Sequence, residues 1–293
     1  MATLRELKGR IGSVASSEKI TGAMKMISSA KMHKAEGALK RLKPYRSTIE
    51  SIIGNLLTAD ATFTSPLAEP RPVERLTVVV LGSDDGLCGA YNANLAKFVD
   101  EKLAEMRAKY GTAVKIKLVP VGKKMAKALL RLSAAGTTID IPDVNSKSEG
   151  DDVKAFQATL IDSFMKRDTD AVDIIYMNYK SAGRQIATMD RILPLSPDVF
   201  VSEGVSESVR PYIFEPDAQT IFENVLPMYI LSLVQEVFFE NRASEQAARV
   251  MAMQAANDNA KKLLDQLRLE YNKLRQQSIT TELLDIVGGQ VRD

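Results

Sequence analysis

Met253-Gln-Ala-Ala-Asn-Asp-Asn-Ala260-Lys-Lys-Leu-Leu264-Asp-Gln-Leu267-Arg-Leu-Glu-Tyr271-Asn-Lys-Leu274 decides the fold. Met253, Ala256, Ala260, Leu264, Leu267, Tyr271 and Leu274 recur at steps of three and four, which makes one apolar stripe of a helix that needs a helical partner. Around it, residues 217–287 lack strand signals and hold one proline, Pro227, expected to start or kink the helix. From Ala243 to Ala260 the stripe is built of Ala and Met, which permit close and adaptable packing. The partner lies at the other end of the chain. Residues 3–57 contain only Pro44, where a bend is expected, and repeat apolar residues at helical spacing. Leu4, Leu7, Ile11 and Val14 step by three and four; Ile20, Met24 and Ile27 resume the pattern after a slip around Ser16 and Ser17, and Leu39, Leu42, Ile49, Ile53 and Leu56 continue it. A helix of that length extends roughly 80 Å at 1.5 Å per residue, more than a globular domain of this size can bury. The two terminal helices should pair antiparallel as a coiled coil.

Between them the pattern changes. Leu76-Thr-Val-Val-Val-Leu81 is a short β-branched run, the mark of a buried strand. Helix at 90–110, strand at 114–121, helix at 123–132, a weaker strand near Ile139, helix at 152–166, strand at 172–179 and a hairpin strand at 185–193 follow. The alternation predicts a Rossmann-like α/β sheet covered on both faces. The expected division is 1–60 for the first coiled-coil helix, 70–210 for the central α/β domain and 211–293 for the second coiled-coil helix.

Composition narrows the chemistry. Of 293 residues, 45% are hydrophobic and 26% charged, the balance of a chain that buries a core. One cysteine and one histidine exclude an internal disulfide, a His/Cys zinc cluster and, unless His33 serves it, a Ser-His-Asp triad. The start, MATLRELKGR, lacks the apolar core of a secretory signal, and the apolar stretch 226–239 holds Gln235 and Glu236 and is too short to span a bilayer. A soluble chain in a reducing compartment is expected. Net charge is +2, yet residues 1–46 carry eleven basic and three acidic residues, a local +8, so the rest carries −6. Such asymmetry suits an acidic partner or a solvated helix face.

Gly82-Ser-Asp-Asp-Gly86-Leu-Cys-Gly89 follows the first strand, where doubly wound folds hold phosphates. Its spacing departs from G-x-G-x-x-G, Asp84 and Asp85 would repel a pyrophosphate, and no phosphate loop with Gly-Lys-Ser/Thr occurs. A structural turn is expected, with Cys88 a packed side chain and His33 a surface residue. No catalytic constellation, cofactor site or metal site is expected. In the C-terminal stretch, Gln276 to Thr281 is uncharged for an exposed helix face, which suggests contact with another protein. A nucleotide-binding enzyme, a nucleic-acid binder using the basic helix and a plain coiled-coil tether are the rival readings.

Four ordered motifs then point one way: Ile20-Thr-Gly-Ala-Met24-Lys-Met26, Gly86-Leu-Cys-Gly89, the string Ser244-Glu-Gln-Ala-Ala-Arg249-Val-Met251-Ala-Met253, and the tract from Tyr271 to Gly289. Across essentially its whole length the chain resembles the gamma-subunit family of the F-type ATP synthases, the central rotating stalk. Lys25 stands where many relatives carry an acid. The resemblance implies a non-catalytic subunit of bacterial type, without the paired-cysteine insertion of chloroplast relatives. Its coiled coil would enter a ring of alpha and beta subunits, and its foot, with the epsilon subunit, would rest on the membrane c ring, peripheral to the cytoplasmic face of the plasma membrane. It further implies coupling and beta-subunit contact at Met24, Arg249, Arg275, Gln276, Thr280 and Glu282, and a foot at Tyr212, Phe214 and Glu215.

Overall fold

A computed structural model describes residues 3–57, 65–131, 136–196 and 214–290, with the side chains of 285 and 287–290 excepted. The elements are α1 (Leu4–Leu57), β1 (Arg75–Leu81), α2 (Tyr91–Tyr110), β2 (Lys115–Val121), α3 (Lys123–Leu129), β3 (Thr137–Ile139), α4 (Asp151–Met165), β4 (Ala171–Ser181), β5 (Arg184–Leu193) and α5 (Ala218–Gln290). Their residues fall into two compact units, one of 1–29 with 249–293, the other of 30–248. Both long helices contribute to both units. α1 includes Pro44 and α5 includes Pro227 as interior residues, so Pro227 does not start its helix. The missing N–H of a proline removes one ladder bond; here nine residues from Ala218 precede it in the helix.

In the larger unit five strands lie in the order β3-β2-β1-β4-β5. β1 pairs parallel with β2 and β4, β2 pairs parallel with β3, and β5 returns antiparallel along β4. The period-two alternation of strand side chains sorts the sheet into two cores. Leu76, Val78 and Val80 of β1, with Ile116, Leu118, Ile175 and Met177, pack beneath α2 and α3 against Leu95, Val99, Leu103 and Met125. Val79 and Leu81, with Val119, Val121, Val172 and Ile174, face the opposite way. There they meet α4 through Phe156 and Leu160, the end of α1 through Ile49, Ile53 and Leu56, and the start of α5 through Leu226, Ile230, Val234 and Phe238. Phe156 and Phe238 meet edge to face at 6.2 Å. Every residue of β1 after Arg75 is buried, and each large side chain so enclosed contributes about 1.5–3 kcal/mol.

One stretch of α5 is apolar and long enough to cross a membrane by length and composition, which the sequence pattern alone had not indicated; nearly half of it is buried inside the fold. Leu226, Ile230, Val234, Val237 and Phe238 are fully enclosed, so apolar side chains there serve the sheet.

In the smaller unit α1 and α5 run antiparallel. Lys25 meets Gln254, and Glu18 and Thr21 meet Asn257, so positions fall along one helix as they rise along the other. Met253, Leu264 and Leu267 are buried where the spacing predicts. On α1 the stripe differs from expectation. It runs without a slip from Leu7, Ile11 and Val14 through Glu18, Thr21, Lys25 and Ser28, all buried or half-buried, whereas Ile20 and Ile27 are 59% and 56% exposed. Hydropathy misled because the inward side chains are polar and satisfied: Asn257 Nδ2 donates to the Glu18 carbonyl at 2.6 Å, and Lys25 Nζ to Gln254 Oε1 at 2.7 Å. A buried polar group that finds its partner costs little.

Candidate functional site: a filled crevice and two presented helix faces

In open α/β sheets, ligands bind beyond the carboxyl ends of the strands where the strand order reverses. In this sheet that point lies at the end of β1, between β2 and β4, and the turn Gly82–Gly89 occupies it. The chain fills the crevice itself. Asp84 Oδ1 accepts the backbone N–H of Lys123 at 2.9 Å, and Asp84 Oδ2 accepts the N–H and hydroxyl of Ser146, each at 2.8 Å. A carboxylate thus stands where a phosphate-binding fold would leave room for an anion. Asn92 Nδ2 donates to Ser83 Oγ at 2.7 Å, Ser83 Oγ donates to the Asp85 carbonyl at 2.8 Å, and Lys147 pairs with Asp85 at 2.8 Å. Two glycines make the turn possible. A Cβ on Gly82 would meet Met125 Cβ at 2.4 Å, and Gly122, at φ +109°, would meet the Ser83 carbonyl carbon at 2.8 Å.

α5 completes the filling. Asn241 Nδ2 donates to the Gly82 carbonyl at 3.1 Å, and Tyr91 Oη donates to Asn241 Oδ1 at 2.6 Å. Arg242 reaches the carbonyls of Ser146 and Ser148 at 3.2 and 3.1 Å and pairs with Glu149. Cys88 is buried beside Ser83 and Asp85, and His33 is exposed and paired with Glu36 at 2.9 Å. Among the described residues no group of three or more His, Cys, Asp or Glu side chains is arranged to hold a metal.

A second cluster joins α1 and α5 within the larger unit. Arg46 bonds Glu50 at 2.7 Å and also pairs with Glu236, while Tyr229 Oη donates to Glu50 at 3.5 Å. Burial pushes the Tyr229 hydroxyl up to about 12. Tyr179 donates to Glu36, and that bond holds the Glu36 carboxyl below its ordinary value. Burial, then the same bond, pushes Tyr179 up to about 12. Arg46, Tyr176, Asp190, Glu236 and Glu240 line a cavity of about 900 Å³. Glu240 Oε2 is buried there with no hydrogen-bond partner among the described residues. Burial, with Glu236 and Asp190 adding repulsion, pushes its carboxyl up to about 7 against opposing pulls from Lys180 and Lys43.

The residues implied by resemblance separate into two sets. Met24 and Lys25 are half-buried in the coiled-coil seam, and Arg249 is only 5% exposed. Arg275, Gln276, Thr280 and Glu282 are exposed on α5. The Thr280 hydroxyl donates to the Gln276 carbonyl at 2.9 Å, and Ser278 Oγ donates to Glu282 at 3.5 Å. Phe214 packs on the sheet core and Glu215 is exposed; Tyr212 lies outside the described residues. The presented apolar side chains of this unit, among the described residues, are Ile20, Met26, Ile27 and Met251, with Leu263, Leu269, Ile279, Leu283, Leu284 and Ile286 farther along α5. Sequence reasoning assigned Ile20 and Ile27 to the seam and passed over Asn241, Asn257 and Glu240. The signal available was a polar residue inside an apolar register, which spacing alone does not weigh.

The family model described as ATP synthase matches residues 3–291. The ATP synthase gamma chain of Bacteroides fragilis is 40% identical over 296 residues, covering 99% of this chain and all of its own. That of Bacteroides thetaiotaomicron is 38% identical over 301 residues, covering the whole of both. Among solved structures, the rotor of the Euglena gracilis mitochondrial ATP synthase gives a TM-score of 0.62 at 21% identity, over 94% of this chain and 98% of that one. The OSCP/F1/c-ring assembly of the same enzyme gives 0.65 at 22% identity, over 98% and 93%; both share the fold. A filled nucleotide crevice, an antiparallel helix pair and gamma-chain relatives matched end to end converge, and the chain belongs to the ATP synthase gamma-chain family.

Proposed function

We propose that this non-catalytic stalk subunit transmits torque between a membrane c ring and a ring of alpha and beta subunits, and imposes on three chemically identical nucleotide sites three different conformations. The observation that carries this reading is the outward apolar set Ile20, Met26 and Ile27 of α1, with Met251 of α5, on a helix pair whose seam is already satisfied. Exposed apolar side chains grouped together mark a surface used by another protein. Ile20, Met26 and Ile27 stand on the basic helix α1, whose charge suits acidic levers of beta subunits and steers the encounter. An asymmetric shaft turning inside such a ring presents a different face to each beta subunit, which is a coupling free energy between shaft angle and nucleotide affinity.

Roles divide along the chain: 1–60 and 211–293 as the shaft, 70–210 as the α/β body. Met24 and Arg249 support the shaft from within. Arg275 and Gln276 grip a beta-subunit loop, Thr280 and Glu282 flank that grip, and Tyr212, Phe214 and Glu215 meet the c ring beside epsilon. The complex sits at the cytoplasmic face of a bacterial plasma membrane, and this chain reaches the membrane only through the complex. The rival readings fare worse. A nucleotide phosphate in this turn would have to displace the Asp84 carboxylate from Lys123 and Ser146, and the basic helix spends part of its surface on a seam.

The test is a cross-link. In the assembled complex with Cys88→Ser, Ile27→Cys joined to a cysteine on the facing beta-subunit lever should abolish ATP hydrolysis, and cleavage of the link should restore it. Full-rate hydrolysis by quantitatively cross-linked complexes would overturn the rotary reading.

A further inference from the structure

α5 is fastened to the sheet by more than apolar packing. Burial of apolar surface is non-directional, so a helix held by it alone can roll about its axis at small cost. Hydrogen bonds demand alignment, and three side chains fix α5 through them within one turn. Asn241, 1% exposed, grips the end of β1 through the Gly82 carbonyl and is itself held by Tyr91 of α2. Ser244, fully buried, donates to the Met177 carbonyl of the neighbouring strand β4 at 2.8 Å. Arg242 between them holds the 146–149 loop. Ala243 and Ala247 are fully enclosed, so the backbone of α5 comes close at this turn. Burying an amide and a hydroxyl where Leu would pack is costly unless each finds its partner, and each does.

We infer that Asn241 and Ser244, with Tyr91 and Arg242, are positioning residues that form a clutch: they make the α/β sheet and the long helix turn as one body, in the crevice that related sheets give to a nucleotide. The inference rests on the torque-transmitting reading above and names where torque crosses from sheet to helix.

The experiment uses the assembled complex with its alpha/beta ring fixed to a surface. A bead is attached through Lys97→Cys on α2 in a Cys88→Ser background, Lys97 being exposed. Angular variance of the bead during a catalytic pause reads the torsional stiffness between sheet and ring. The double variant Asn241→Ala/Ser244→Ala removes two of three polar grips and should raise that variance by at least about twofold. Tyr91→Phe deletes one hydroxyl with little change of shape and should raise it in the same direction, so the test survives if the double variant does not assemble. Ile116→Ala, a lesion in β2 within the sheet core, should lower the melting temperature and leave the variance at the parent value. Parent-level variance in both clutch variants would overturn the inference, as would an equal rise in Ile116→Ala. A parent bead that never rotates with ATP would instead sink the torque reading and the clutch with it.

Discussion

Glu240 is a carboxylate whose environment moves its titration toward neutral pH. Its carboxyl titrates near 7 rather than 4.5 because burial opposes the charged form and Glu236, one turn earlier on α5, repels it. A folded-state value above the unfolded one fixes the sign. Both states hold the proton below about 4.5, so stability is full there. Between about 4.5 and 7 the unfolded chain releases its proton first, and stability falls until the folded form ionises as well. The site opens on a cavity, and allowing for solvent screening the loss is about 1 kcal/mol. Glu240→Gln keeps the shape and removes the charge. It should be more stable than the parent by about that amount at pH 8 and equal to it near pH 4.5. Chemical denaturation of the full chain at the two pH values checks this, and an equal gain at both would mean that the carboxylate charge is not the cause.

Helix α1 shows how an element is specified against its local preferences. Gly9, Gly12 and Gly22 sit inside it, and each weakens an isolated helix by roughly 0.5–1 kcal/mol relative to alanine. Their surroundings differ. A Cβ at Gly12 meets nothing within 4 Å, whereas at Gly22 it falls 3.3 Å from Asn257 Nδ2. That amide is held by its bonds to the Glu18 carbonyl and Thr21, so it yields only at their expense. Gly12→Ala should therefore stabilise the chain by about 0.5–1 kcal/mol, while Gly22→Ala should gain less or lose. Melting temperatures of the two variants side by side decide it; a larger gain at Gly22 would mean that the Asn257 bond contributes nothing to the helix pair. The strands were legible because β1 is buried on both faces and reads as an unbroken β-branched run. The α1 seam was misphased because a stripe of Glu18, Thr21, Lys25 and Ser28 carries no hydropathy signal.

At the scale of the whole molecule, function is proposed to concentrate where α5 presents side chains it does not bury. Gln276 is exposed, and Thr280 bonds the carbonyl of Gln276 rather than its amide, so the amide is available to a partner. Gln276→Leu removes a donor and an acceptor at similar volume, and Leu is as good a helix former. The complex should assemble normally and hydrolyse ATP about two- to tenfold more slowly, the rate equivalent of losing about 0.5–1.5 kcal/mol of hydrogen bonding at one shaft angle. Parent-rate turnover by the assembled variant would remove Gln276 from the grip.

Periodicity and composition by themselves determined two long terminal helices, a βα alternation between them, a chain with too few cysteines and histidines for an internal disulfide or a His/Cys zinc cluster, and a glycine turn whose spacing departs from that of a phosphate-binding loop. Those properties are carried by side chains averaged over many residues or by the plain absence of a residue type, so each survives without knowledge of partners. Only the tertiary structure decided which side chains of α1 face inward, that α5 and not a ligand fills the crevice at Gly82, and that Glu240 holds its proton near neutral pH. Each of these depends on a single polar atom meeting, or failing to meet, a partner far away in the chain: Asn257 on Glu18, Asn241 on Gly82, and Glu240 Oε2 on none among the described residues. Apolar burial adds over area and leaves a periodic trace in the sequence, whereas a hydrogen bond between distant residues is one directional event and leaves no such trace.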